Sequence, residues 1–142
     1  MTYPLAFSTW GNEEVEAIKH VIDTDMYTMG KHVKQFEKEF AETFGSPHAV
    51  MVNSGSSANL LMLSLLKWKY KLSGDIIVPV VGWATTYFPI SQNGFRLNFV
   101  DVDPNTWNID VSKIEAAITP ETCAIMPVNL LGNSCDYKRI IE

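Results

Sequence analysis

Short stretches of this chain hold the residue types that bind or react. The string NSGSSAN, residues 53–59, places Gly55 in a turn just ahead of Ser56 and Ser57 and before a strongly apolar run. Gly55 lets the backbone turn tightly. The Ser56 and Ser57 amides then stand at a helix N-terminus, where free N–H groups, hydroxyls and the helix dipole suit a phosphate dianion. An N-capped turn with no ligand has the same composition. The string is no Walker loop, because no Gly-Lys-Ser/Thr follows, and it lacks the second and third glycines of the dinucleotide fingerprint. The string VVGWATTYF, residues 80–88, sets Trp83 beside Gly82 directly after an apolar run. A large aromatic there either stacks on a flat ring or fills the core. A phosphate cradle on one loop and an aromatic platform on the next together describe a planar, phosphorylated ligand.

Other candidates carry less. Asp101 and Asp103 close a strand in FVDVDP, where carboxylates act as ligands or acids, or simply form an Asp-Pro turn. Asn129 follows the last apolar run and either donates to a ligand ring or caps its own loop. Met26, Tyr27 and Met29 are apolar residues in the loop DTDMYTMG, residues 23–30, and read as a substrate wall, a subunit contact or local packing. His20 lies on the polar side of a helix. His32 and His48 have no Cys, His or carboxylate at ligand spacing, so no metal site is expected. Cys123 and Cys135, the two cysteines, make neither a disulfide framework nor a zinc site.

These loops need elements to position them. Asn12, followed by Glu13, Glu14 and Glu16, reads as the N-cap of a first helix with Val15, Ile18 and Ile22 on one face. Val33, Phe36, Phe40 and Phe44 form the core stripe of a second helix from Lys31, which Gly45 ends. From His48 the pattern alternates. Strands are expected over 48–52, 76–80, 95–100 and 122–128, with helices over 57–69, 85–92 and a short one capped by Asp110. Alternation of this kind gives a mainly parallel sheet with flanking helices, an α/β fold that binds ligands at the carboxyl ends of its strands. Residues 136–142 open another helix that runs out after two turns, which reads as a βα unit cut short.

Composition sets outer limits. The 142 residues are 46% apolar and 19% charged, enough for a packed core. Sixteen acidic against 11 basic residues give a charge of −5, with no basic cluster to meet nucleic acid. The apolar runs are too short to span a bilayer, and no secretory signal opens the chain. A cytoplasmic protein is the default.

The strings NSGSSANLL, GDIIVP, WATTYFP, NFVDVDPNTWNID and VNLLGN, with YPLAFSTW and MYTMGKHVKQFEKEFAETFG, resemble the DegT/DnrJ/EryC1/StrS family of sugar aminotransferases and dehydratases. The resemblance covers nearly the whole chain. It implies an aspartate-aminotransferase-like (fold type I) large domain binding pyridoxal 5′-phosphate or pyridoxamine 5′-phosphate. Residues 1–45 would be an N-terminal helical arm and 46–142 the first part of that domain. Gly55 and Ser56 match the turn whose amides hold the cofactor phosphate, with Ser57 beside them. Trp83 matches the aromatic stacked on the pyridine ring, and Asn129 a position near the cofactor. Gly30, with the loop that carries Tyr27 and Met29, matches a stretch approaching the substrate. The family implies a nucleotide-sugar substrate, an amino donor such as glutamate and a homodimer with shared active sites. The reaction would be 3-dehydration of a 4-keto-6-deoxy sugar nucleotide in deoxysugar and O-antigen biosynthesis, or amino transfer onto the keto sugar. A non-catalytic α/β phosphate-binding module is the alternative from another class. Family members run to more than twice this length. Their aspartate for the pyridine nitrogen and their lysine or histidine for proton transfer match positions beyond Glu142. Lys69, Lys71 and Lys138 stand in no matching context, so no catalytic residue is assigned.

Overall fold

The computed structural model describes residue 4 and residues 6–142. Tyr3 and Leu5 of the YPLAFSTW segment therefore lie outside the described residues. Two units are present, Met1–Met51 and Val52–Glu142.

The first unit carries helices α1 (Asn12–Asp23) and α2 (Lys31–Phe44). Gly11, not Asn12, is the N-cap of α1: the Gly11 N–H donates to Glu14 Oε2 at 2.7 Å, which starts the helix one residue early. Gly45 ends α2 in the left-handed region (φ 65), and the Ser46 N–H donates to Ala41 O. The phenylalanine stripe of α2 is not the buried core its spacing predicts. Phe36, Phe40 and Phe44 pack along one face, with centroids 5.7 and 4.4 Å apart, yet each stays at least 44% exposed. Ala41 alone is buried in α2. The described residues of this unit form no strand against which an aromatic face could close. The strand expected at 48–52 is also absent. Its Met51 N–H donates instead to a side chain of α2, Glu37 Oε1, at 2.9 Å.

The second unit runs α3 (Gly55–Trp68), β1 (Asp75–Pro79), α4 (Ala84–Gln92), β2 (Arg96–Val100), α5 (Ile114–Ala117), β3 (Thr122–Ile125) and α6 (Tyr137–Ile141). The three strands are parallel, in the order β2-β1-β3. Central β1 is apolar throughout its middle because both its faces are covered. Ile76 and Val78 pack with Leu63 of α3 and Ile90 of α4, while Ile77 packs with Val100, Ile109 and Ile114. β3 stops at Ile125, three residues short of expectation. The Met126 N–H still donates to Ile77 O at 2.8 Å, but Pro127 has no N–H to continue the ladder. At the opposite end of the sheet Arg96 pairs with Asp75 and Glu121. Among the described residues no helix is long and apolar enough to cross a membrane.

Candidate active site

Ser54 is the N-cap of α3. The Ser57 N–H donates to Ser54 Oγ at 3.2 Å, and the Ala58 N–H to Ser54 O at 3.0 Å. The amides of Gly55 and Ser56, the first two of this 14-residue helix, have no acceptor among the described residues. A Cβ built on Gly55 meets nothing within 4 Å, so the space beside the first residue of the helix is open. Two unfilled amides, a free Ser56 hydroxyl and the positive end of the helix dipole form a donor set that fits a phosphate. Ser57 differs from the other two: its amide is already used, and its hydroxyl accepts weakly from Ser54 Oγ at 3.3 Å.

The start of α4 lies beside this N-terminus. Asn59 Nδ2 donates to Thr85 O at 3.4 Å, and Ser64 Oγ donates to Asn93 Oδ1 at 3.0 Å. A cleft of about 220 Å³ runs between the two helices, lined by Ser56, Ser57 and Leu60 on one side and Thr85, Phe88 and Gln92 on the other. Because Thr85 belongs to the segment following β1, the α3 N-terminus sits at the carboxyl end of the sheet, where α/β folds bind ligands. Trp83 is the N-cap residue of α4 and is 70% exposed, so it is no part of the core. It stands two residues before Thr85, outside the lining of the cleft itself.

Tyr87 braces the turn before α4 and was not among the sequence candidates. Its Oη donates to Pro79 O at 2.8 Å, and its ring meets Phe99 edge-on at 5.5 Å. Burial raises the Tyr87 pKa, which keeps the hydroxyl a donor. A Cβ on Gly82 would overlap the Tyr87 hydroxyl, so a larger residue there would displace that hydroxyl from its place. Only the Gly-Trp-x-x-x-Tyr spacing hinted at this contact.

Asn129 organises its own loop. Its Oδ1 accepts from the Cys135 N–H and from Tyr137 Oη, both at 2.9 Å, which leaves Nδ2 as the outward donor. Asn108, buried, ties the same loop down: its Nδ2 donates to Asn133 O and its Oδ1 accepts from the Leu130 N–H. Asp101 and Asp103 are engaged locally. The Val102 N–H, then Lys113, hold the Asp101 carboxyl below its usual range, and Asp103 Oδ1 accepts from the Asn105 N–H. In the first unit, Tyr27, Met29 and Gly30 line one pocket of about 600 Å³ together with Met26, Lys31 and Lys34. Met26, Tyr27 and Met29 are each more than half exposed. No group of three or more metal-ligating side chains occurs among the described residues.

A three-stranded parallel sheet with helices packed on its faces defines the α/β class. Within that class, the sequence model of the DegT/DnrJ/EryC1/StrS aminotransferase family matches residues 8–142, and the chain belongs to this family. It is 53% identical to a GDP-4-keto-6-deoxy-D-mannose 3-dehydratase of Yersinia pseudotuberculosis, over 100% of this chain and 37% of that protein. A crystal structure of a GDP-4-keto-6-deoxymannose-3-dehydratase with a trapped PLP-glutamate geminal diamine superposes with a TM-score of 0.90 at 52% identity, covering 98% of this chain and 37% of that one. A sugar aminotransferase from Streptococcus pneumoniae, described as putative and in its PMP form, superposes at 0.85 with 28% identity, over 98% and 35%. The fold is thus that of the PLP-dependent aminotransferases. The chain spans about 37% of the length of the 3-dehydratases it matches.

Proposed function

We propose that this chain forms the phosphate and ring-face side of a pyridoxal or pyridoxamine phosphate site in a nucleotide-sugar 3-dehydratase. The observation that carries the reading is the pair of α3 amides, Gly55 and Ser56, left without acceptors where α3 and α4 meet. The 52–53% identity to GDP-4-keto-6-deoxymannose 3-dehydratases supports the reaction. The substrate is then a 4-keto-6-deoxy sugar nucleotide in deoxysugar or O-antigen synthesis.

In this reading Gly55 and Ser56 donate their N–H groups to phosphate oxygens, and the Ser56 and Ser57 hydroxyls close the cradle. Trp83 lies against the flat face of the ring and keeps water from it. Asn129, with Oδ1 pinned by Tyr137 and Cys135, presents Nδ2 as a single donor to a ring substituent. The bound cofactor supplies the electron sink, and the protein orients it. Tyr27, Met29 and Gly30 wall the substrate side, residues 46–142 open the cofactor domain, glutamate is the amino donor, and the enzyme is a cytoplasmic homodimer. Amino transfer is the second reading, supported by the likeness to the PMP-form aminotransferase. Product analysis with a GDP-4-keto-6-deoxy sugar separates the two. A 3-deoxy product with ammonia release supports dehydration, and a 4-amino sugar overturns it.

A further inference from the structure

The turn that carries Trp83 is fastened at each end but not in its middle. The Val80 N–H donates to Val100 O at 2.8 Å, and the Thr86 N–H donates to Trp83 O at 2.9 Å. Residues 81–82 have no hydrogen bond among the described residues. What holds this stretch is Tyr87, reaching back from the first turn of α4. Its Oη is bonded to Pro79 O, its ring is braced by Phe99, and Gly82 is pressed against the hydroxyl closely enough to exclude a Cβ. Trp83 has no such brace of its own and is 70% exposed.

We propose that Tyr87 is a positioning residue that fixes the Trp83 indole for stacking, through its bond to Pro79 and its contact with Gly82. The inference rests on the stacking role given to Trp83 above. An exposed indole on an unfastened turn samples many orientations, and ordering it on binding would weaken the contact. A turn clamped by Tyr87 presents the ring face already in place. Tyr87 itself needs no contact with the cofactor.

The test measures cofactor affinity and the induced circular dichroism of the cofactor band in the holoenzyme, using Tyr87→Phe, Gly82→Ala, Trp83→Ala and the Tyr87→Phe/Trp83→Ala double variant. Tyr87→Phe removes one hydrogen bond and keeps the ring, so affinity should fall about three- to tenfold, with weaker dichroism. Gly82→Ala forces the same hydroxyl aside and should behave alike. In the Trp83→Ala background Tyr87→Phe should cost less than about twofold more, because the two act as one unit. Unchanged affinity and dichroism in Tyr87→Phe, with both reduced in Trp83→Ala, would overturn the inference and leave the stacking reading intact. Fully additive losses would also overturn it, since a purely structural tyrosine acts regardless of Trp83. If Trp83→Ala alone changes nothing, the stacking reading fails and the clamp on it falls as well.

Discussion

Replacing Gly55 with proline probes the phosphate cradle one donor at a time. Gly55 is the first residue of α3, the position where proline fits a helix best. Ser54 before it is extended (φ −163, ψ 161), the conformation a following proline requires. A Cβ added at Gly55 meets no protein atom within 4 Å. The substitution therefore deletes one of the two unfilled amide donors and leaves the helix in place. A hydrogen bond to a charged group contributes about 1.5–3 kcal/mol, so cofactor affinity should fall roughly 10- to 150-fold. Stability of the cofactor-free protein should hold or rise, by about 0.4–1 kcal/mol, from the stiffer unfolded chain. Equilibrium titration followed at the cofactor absorbance gives the affinity, and thermal unfolding of the apo form gives the stability. Gly55→Ala, which keeps the donor, is the comparator. Wild-type affinity in Gly55→Pro, with the unfolding temperature unchanged, would refute the assignment of the phosphate to this helix N-terminus.

Further expectations follow from the same geometry. Ser54→Ala removes the N-cap bond to the Ser57 N–H and should lower stability by about 1 kcal/mol, read by thermal or urea unfolding; no change would mean the cap is filled otherwise. Asp101 and Asp110 have pKa values depressed in the folded state, the first chiefly by the Val102 amide and the second chiefly by the Ser112 hydroxyl. Their stabilisation is present above the ordinary carboxylate range and lost as pH falls through their depressed values. Asp101→Asn/Asp110→Asn should therefore flatten the acid side of the stability profile, and an unaltered profile would contradict this. The 142-residue chain alone should show no turnover and should self-associate through residues such as Phe36, Phe40 and Trp68, all at least 44% exposed. Sedimentation should show larger species that Phe36→Ser/Phe40→Ser disperses; a monomer that turns over substrate would contradict both statements.

Much of the fold was legible because local and global signals agree. The Val33, Phe36, Phe40 and Phe44 spacing, closed by Gly45, placed α2 to the residue. The apolar run at Ile76, Ile77 and Val78 read correctly as a strand. Burial was less legible than periodicity. Spacing says that Phe36 and Phe40 share a face, but not what lies opposite that face. The run at 48–52 has strand composition, yet its Met51 amide finds the Glu37 carboxylate fourteen residues back, a partner no local pattern reveals. The site divides in the same way. Gly55 and Ser56 declare themselves by type and position. The double use of Asn129 Oδ1 and the reach of Tyr87 to Pro79 depend on how the chain folds back, so neither is visible in the string.

The most direct test of the central claim is a crystal structure of the holoenzyme with pyridoxal phosphate bound. Phosphate oxygens should lie within hydrogen-bond distance of the Gly55 and Ser56 amides, and the pyridine ring should stack on Trp83. A cofactor bound with its phosphate away from α3, or with its ring away from Trp83, would contradict this.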